Sequence, residues 1–180
     1  ASYILATLGA ATLFVVVLFG MLRAQMRQDL ESRLRDLAAT VAVQIDADAH
    51  ARLQTATDQT GPDYSGLLQQ LRQVAAAAPD IAYIYTLRQD AAGNTYFVLD
   101  TDAETGSAIG DAYDSASPWL QAHFATLMEP AAEPDVYTDE WGVWFTGYAP
   151  VFDAAGRREA VLSMPGVDRT AIDERVSEAG

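Results

Sequence analysis

The sequence predicts an α+β protein: an N-terminal transmembrane helix runs into a long stalk helix, and an antiparallel sheet of about five strands with flanking helices follows. Three observations carry this expectation. Residues 1–22 contain no charged side chain, and an apolar helix of that length spans a bilayer core. Leu30, Leu34, Leu37 and Val41 recur at 4-3-4 spacing, Ile45 continues the stripe, and Gly and Pro are absent from the segment. That is the mark of one long helix with an apolar stripe. Farther on, Trp144, Thr146 and Tyr148 alternate with Val143, Phe145 and Gly147, the period of a strand whose two faces meet different surroundings.

The first span is too long and too uniform for a signal peptide, and no small-residue cleavage site follows it. Ser2, Ala6 and Ala10 place small residues every fourth position, which would allow close helix approach or reflect nothing more than an Ala-rich span. The stripe from Leu30 suits either a coiled-coil seam or a helix lying on a sheet, and the helix is expected to reach residue 54. Residues 55–63 (TATDQTGPD) break it. Asp63 is a candidate cap for a helix from Tyr64 to about Ala78, ended by Pro79-Asp80. Ile81–Arg88 reads as a strand, Asp90-Ala91-Ala92-Gly93-Asn94 as a turn, and Thr95–Asp100 as its hairpin partner. An acidic loop covers 101–115. Ser117 with Pro118 opens a helix through about Met128. In the aromatic hairpin, Pro150 is expected to limit pairing beyond Ala149, Asp153-Ala154-Ala155-Gly156 makes the turn, and Arg158–Met164 returns. Thr170 onward reads as helix.

Charge distribution excludes a class of partner. Residues 23–60 carry five Arg against six acids, whereas 61–180 carry six Arg against nineteen. Between Arg88 and Arg157 there are twelve acids and neither Arg nor Lys. Such a surface repels nucleic acid. The chain has no Cys, so disulfides, thiolate metal sites and Cys nucleophiles are excluded. No phosphate-loop, dinucleotide, zinc-protease or nucleophile-elbow motif is present.

Five pieces in order resemble the single Cache (PAS-like, or PDC) extracytoplasmic sensor domains of bacterial transmembrane receptors. They are Ile45–His50, Pro79–Leu87, Phe97–Asp100, Ile109–Tyr113, and Tyr137–Gly142 continuing to Tyr148-Ala149-Pro150. The resemblance covers residues 45–168. It divides the chain into a transmembrane helix (1–22), a stalk and dimerisation helix (23–54), a sensor domain (55–168) and the start of a C-terminal helix (169–180) that leads to an unseen second membrane segment. It implies a ligand pocket on the sheet face away from the long helix, a homodimer joined along that helix, and a cytoplasmic output module outside this chain: histidine kinase, nucleotide cyclase, phosphatase or chemoreceptor. One departure is Met164-Pro165-Gly166, where the family has an uninterrupted apolar strand, and Pro165 puts that pairing in question. Arg23, Arg27, Arg33 and Arg35 behind the span argue for a cytoplasmic flank. The resemblance argues for residues 23–180 outside the inner membrane, and that assignment is kept.

The expected ligand-binding residues are Tyr85, Asp100, Tyr113, Trp141, Trp144 and Tyr148. Aromatic walls with a few placed polar groups are the usual make-up of a small-molecule pocket. The competing reading makes the same aromatics sheet core. The pocket is expected between the aromatic hairpin and the 101–115 loop, with Tyr113 closing it. A buried Asp100 needs a cationic partner, and no Arg lies near it in sequence, so an amine-bearing ligand is favoured. Asp100 and Asp102 with Asp111 and Asp114 form only a weak calcium pattern. His50 and His123 are expected at the surface or in caps. No metal, cofactor or catalytic residue is expected, and the segment reads as non-enzymatic. The alternatives are a divalent-cation or pH sensor working through the acidic face, and a membrane-anchored structural or dimerisation domain without ligand.

Overall fold

The computed structural model describes residues 2–78, 80–138 and 143–167, with backbone only for 2–8 and 167. Trp141, the bend at Gly142, the side chains of Ser2 and Ala6, and the C-terminal helix over 169–180 lie outside the described residues.

Helix α1 (Ser2–Ala42) is continuous. Its apolar side chains from Leu13 to Leu22 are exposed, and it is long and apolar enough to cross a membrane. It ends twelve residues before position 54. After the non-helical 43–46 stretch, the Asp46 side chain accepts from Ala49 N at 2.9 Å and caps a new short helix, α2 (Ala47–Ala51). A 3-10 turn (Ala56–Thr60) leads to α3 (Pro62–Ala77). Gly61 and Pro62 start α3, and Asp63 does not cap it. Asp63 instead accepts from Arg52 Nε at 2.6 Å and Nη2 at 3.1 Å.

The strands are β1 (Tyr85–Gln89), β2 (Thr95–Asp100), β3 (Ala131–Ala132), β4 (Tyr137–Thr138), β5 (Val143–Phe152) and β6 (Arg158–Val167); helix α4 (Pro118–His123) lies between β2 and β3. The sheet order is β2-β1-β6-β5-β3, with β4 also on β5. Every pairing is antiparallel. The expected five strands thus become six because the outer edge is split between two short pieces. Both hairpin turns form as expected, with Gly93 and Gly156 at positive φ.

Neither proline stops the sheet. Thr146 O accepts from Glu133 N, so residues 146, 148 and 150 turn their backbone polar groups to the outer edge. Pro150 therefore lacks its N–H where β3 has already ended, and β5 continues to Phe152. Pro165 is opposite Thr146, and its carbonyl accepts from Ala82 N. Its missing donor faces β1 beyond the end of the β1–β6 ladder, so β6 pairs with β5 through Val167.

The stripe Leu34, Val41 and Ile45, with Ala38 between, is buried against the sheet together with Phe145, Ala149, Leu162 and Met164. Leu30 and Leu37 pack at its border. Of the two readings of the stripe, the helix-on-sheet one holds, and the stripe is covered within one chain. Leu34 sits in a notch made by two glycines. A Cβ on Gly147 would lie 2.5 Å from Leu34 O, and one on Gly166 3.1 Å from Leu34 Cδ2. Gly166 thus has a packing reason to stand where the resemblance expected an apolar residue.

Candidate functional site

The alternation read in β5 divides two environments. Phe145, Ala149 and Val151 face α1. Trp144, Thr146 and Tyr148 line a cavity of about 330 Å³ on the opposite face, and the other wall includes Asp102, Thr105, Ser107 and Tyr113 from the 101–115 loop. Of the six expected residues, Tyr85, Asp100, Tyr113, Trp144 and Tyr148 border this single cavity. Trp141 lies outside the described residues.

Local structure explains how each side chain arrives. In the β1–β2 ladder Thr86 faces Leu99 while Leu87 faces Phe97, so Val98 is an extra, bulged residue. The bulge turns Phe97 and Asp100 to the same cavity, although strict alternation would oppose them. Beyond β2 the loop returns along its edge: Phe97 N donates to Asp111 O, Gly110 N to Phe97 O, and Tyr113 N to Thr95 O. That pairing shields the edge strand and lays Tyr113 against Phe97 (4.8 Å between centroids) and Tyr85 (5.5 Å). Tyr83, absent from the sequence expectation, meets Trp144 edge-on at 5.9 Å. On the far side Trp119 of α4 stacks on Tyr148 at 5.5 Å.

The polar groups around the cavity are acids and neutral donors. Asp100 Oδ1 accepts from Asp102 N at 3.0 Å and Oδ2 from Ser107 N at 2.9 Å. Burial pushes its pKa up, against the pull of those bonds. Asp102 accepts from Glu104 N and from the Thr105 hydroxyl at 2.6 Å, and these bonds hold its pKa down. The acid-rich loop is therefore organised by carboxylates turned onto their own backbone. The Tyr85 and Tyr113 hydroxyls bond each other at 2.8 Å, and Tyr137 donates to Ser115 O at 2.7 Å. The Tyr148 hydroxyl donates to Glu133 Oε2 at 3.1 Å. Glu133 is 4% exposed, and burial raises its pKa too. Sequence reading passed over Glu133 as a loop acid. Its signal was weak: an isolated carboxylate between two prolines, beside an edge too short to recognise.

A second polar cluster lies on the α1 side of the sheet. His50 is fully buried, which corrects its expected surface or capping role. Its Nε2 is 2.7 Å from Thr86 Oγ1 and its Nδ1 3.1 Å from Glu159 Oε1. Thr86 Oγ1 also accepts from Leu99 N at the bulge. Arg88 Nη2 also lies 3.2 Å from Nδ1, so both ring nitrogens sit in polar contacts whose donor and acceptor roles follow the tautomer. Arg88 donates to Glu159, to His50 O at 2.7 Å and to Leu53 O at 2.5 Å. Burial is the largest cause lowering the His50 pKa, with the Arg88 charge acting the same way. Burial alone would raise the Glu159 pKa, but bonds from His50 and Arg88 bring it down. This cluster joins α2 to β1 and β6. His123 is exposed, with Nδ1 2.8 Å from Trp119 O, as expected for a surface position.

No family model matches the chain, and no curated protein matches it. Solved structures do. The extracellular domain of mmHK1S-Z2, described as a histidine kinase, superposes with a TM-score of 0.51 at 11% identity, over 80% or slightly less of this chain (79%) and 55% of that one. The ligand-binding domain of the Campylobacter jejuni chemoreceptor Tlp3, in complex with 4-methylisoleucine, gives 0.45 at 15% identity, over 80% and 52%. The E. coli DcuS sensor domain gives 0.37 at 14%, over 81% and 98%. The chain thus spans about half the length of the kinase and Tlp3 structures. Only the mmHK1S-Z2 extracellular domain exceeds a TM-score of 0.5 among these three, and the likeness to it is one of fold.

Proposed function

We propose that this chain is the extracytoplasmic small-molecule sensor segment of a membrane signalling receptor whose output module, a kinase, cyclase, phosphatase or chemoreceptor, lies outside it. The observation that carries this reading is the division of β5: one face is filled by the membrane-linked helix, and the other opens on an aromatic, acid-lined cavity. A purely structural anchor would have that second face filled by side chains. The named ligands of Tlp3 are small amino-acid-like molecules, and a cavity of about 330 Å³ suits a compact ligand. An amine-bearing compound fits the surrounding carboxylates.

Helix α1 and the last residues of β6 meet at one end of the β5–β6 pair, which supports the membrane attachment. Arg27 of α1 lies over Phe145 near the start of β5 and donates to Asp135 at 2.9 Å. Val167, the last residue of β6, is opposite Trp144. Arg27 is thereby tied to the folded domain, so the basic flank behind the span lies on the domain's side of the membrane and its charge is engaged there. Trp144 and Pro165, both at the cavity wall, stand next to that end of the strand pair. A ligand touching them shifts the membrane-linked segments only if it binds two arrangements with unequal affinity. The homodimer remains part of this proposal, through a surface other than the covered stripe.

The test is thermal melting of the full chain in maltoside micelles with panels of amines, amino acids, carboxylates, Ca²⁺ and Mg²⁺. A melting shift with an organic compound, lost in Asp100→Asn and Trp144→Ala with the fold intact, is the expected result. A shift with divalent cations alone favours the cation-sensor alternative. An unaltered shift in both variants moves the site elsewhere.

A further inference from the structure

We infer that the cavity takes an organic cation without a carboxylate, of the methylated-ammonium type; this deepens the sensor reading and rests on it. Charge comes first. Asp100, Asp102 and Asp114 border the cavity, and among the described residues no Arg, Lys or His does. The chain from Arg88 to Arg157 holds no Arg or Lys between those two residues, so residues 139–142 supply none by composition. None of the nearby guanidinium groups lines the cavity, although the Arg72 charge reaches Asp102. Arg72 of α3 donates to Thr101 O at 3.4 Å, Arg88 is bound to Glu159 and to carbonyls on the opposite face, and Arg158 donates to Phe124 O and Leu127 O. The carboxylate of an amino acid or a dicarboxylate would enter a partly desolvated space among like charges, with no base on the described wall to receive it. A cation would instead neutralise the carboxylates.

The kind of cation follows from the remaining polar atoms. A primary ammonium presents three N–H donors and needs an acceptor for each. Around the cavity, the Tyr85 and Tyr113 hydroxyls are bonded to each other, Tyr137 is bonded to Ser115 O, and Tyr148 is bonded to Glu133. Each Asp100 oxygen accepts one backbone N–H group and keeps one further lone pair. Beside these and a few Ser and Thr hydroxyls, the wall offers carboxylate charge and six aromatic rings, Tyr83, Tyr85, Phe97, Tyr113, Trp144 and Tyr148. A methylated ammonium has no N–H or fewer, and gains from aromatic faces and from charge without directed bonds.

Choline, ethanolamine, glycine betaine, L-valine and succinate, added separately to the full chain in maltoside micelles, separate these features. Calorimetric titration is expected to show binding of choline, weaker binding of ethanolamine, and none of the three carboxylates. Choline affinity should fall at least about tenfold, equivalent to about 1.4 kcal/mol, in Trp144→Phe and in Asp114→Asn. Those milder substitutions keep the test open if Trp144→Ala or Asp100→Asn fails to fold. Binding of L-valine, glycine betaine or succinate as tightly as choline overturns the carboxylate-free class and leaves the sensor reading standing. Ethanolamine binding tighter than choline overturns the methylated class alone. If none of the five binds, this inference falls; if the wider amine, amino-acid and carboxylate panels also fail, the small-molecule sensor reading falls with it.

Discussion

On the α1 side of the sheet, Glu159 lies against His50 and accepts from Arg88; on the cavity side, Asp100 and Glu133 accept from neutral donors. All three carboxylates are withdrawn from water, yet the pKa of the first is pushed down and those of the other two up. The difference separates a joint from a site. Where base and acid are both supplied by the chain, burial fixes geometry, here α2 against β1 and β6. Where only the acid is supplied, the folded protein holds uncompensated charge and gains from a cation arriving from outside.

Removing one side of the compensated pair should have the largest effect. Arg88→Met strands Glu159 and frees the α2 carbonyls, and is expected to cost about 3 kcal/mol in urea unfolding; a cost below about 1 kcal/mol would mean the cluster is not a joint. Next is Gly147→Ala, which forces a Cβ against the Leu34 backbone. It should lose about 2 kcal/mol in the same assay, whereas Thr146→Ala, one residue away on the cavity face, should lose less.

The two faces also respond to acid with opposite signs. A lowered His50 pKa means that the unfolded chain binds more protons below the ordinary imidazole value of 6.5, so this contribution is complete above that pH and is lost as pH falls. Glu159, also lowered, loses its contribution at more acid pH. Asp100 and Glu133 are raised, so the folded chain binds more protons than the unfolded one, and acid relieves their cost. His50→Gln should therefore flatten the fall in Tm between pH 7 and pH 5. Asp100→Asn with Glu133→Gln should steepen the fall at more acid pH, where these carboxyls take up protons ahead of the unfolded chain, and parallel curves for all three proteins would erase the comparison. The smallest expected effect is Glu133→Gln alone at pH 7. It should raise stability by less than about 1 kcal/mol, provided that the Tyr148 bond survives; a clear loss would show Glu133 acting as a structural acceptor.

The cavity face was legible in the sequence because it rests on a local rule. Trp144, Thr146 and Tyr148 share a side by period two, and Asp100 and Tyr113 followed from the resemblance. Phe97 was hidden by the bulge at Val98, which alternation cannot anticipate. The joint was invisible because its members are far apart in sequence, His50 lying 109 positions from Glu159. The stripe from Leu30 to Val41 fitted a seam and a sheet equally well, and only Gly147 and Gly166, more than a hundred positions on, show which surface receives it. The end of α1 did leave a local mark, an Asp46 cap three residues before Ala49, outweighed by the apolar stripe continuing to Ile45. Pro150 and Pro165 looked like breaks because their effect depends on which neighbour each backbone edge faces.

Carboxyl ¹³C titration by NMR of the full chain in maltoside micelles, with and without choline, reaches the central claim most directly. Without choline, Glu159 should titrate below the ordinary carboxylate range and Asp100 and Glu133 above it. With choline, the Asp100 pKa should fall, its proton leaving as the cation arrives, while Glu159 stays where it was. Common values for all three groups, or an Asp100 titration unmoved by saturating choline, would contradict the account.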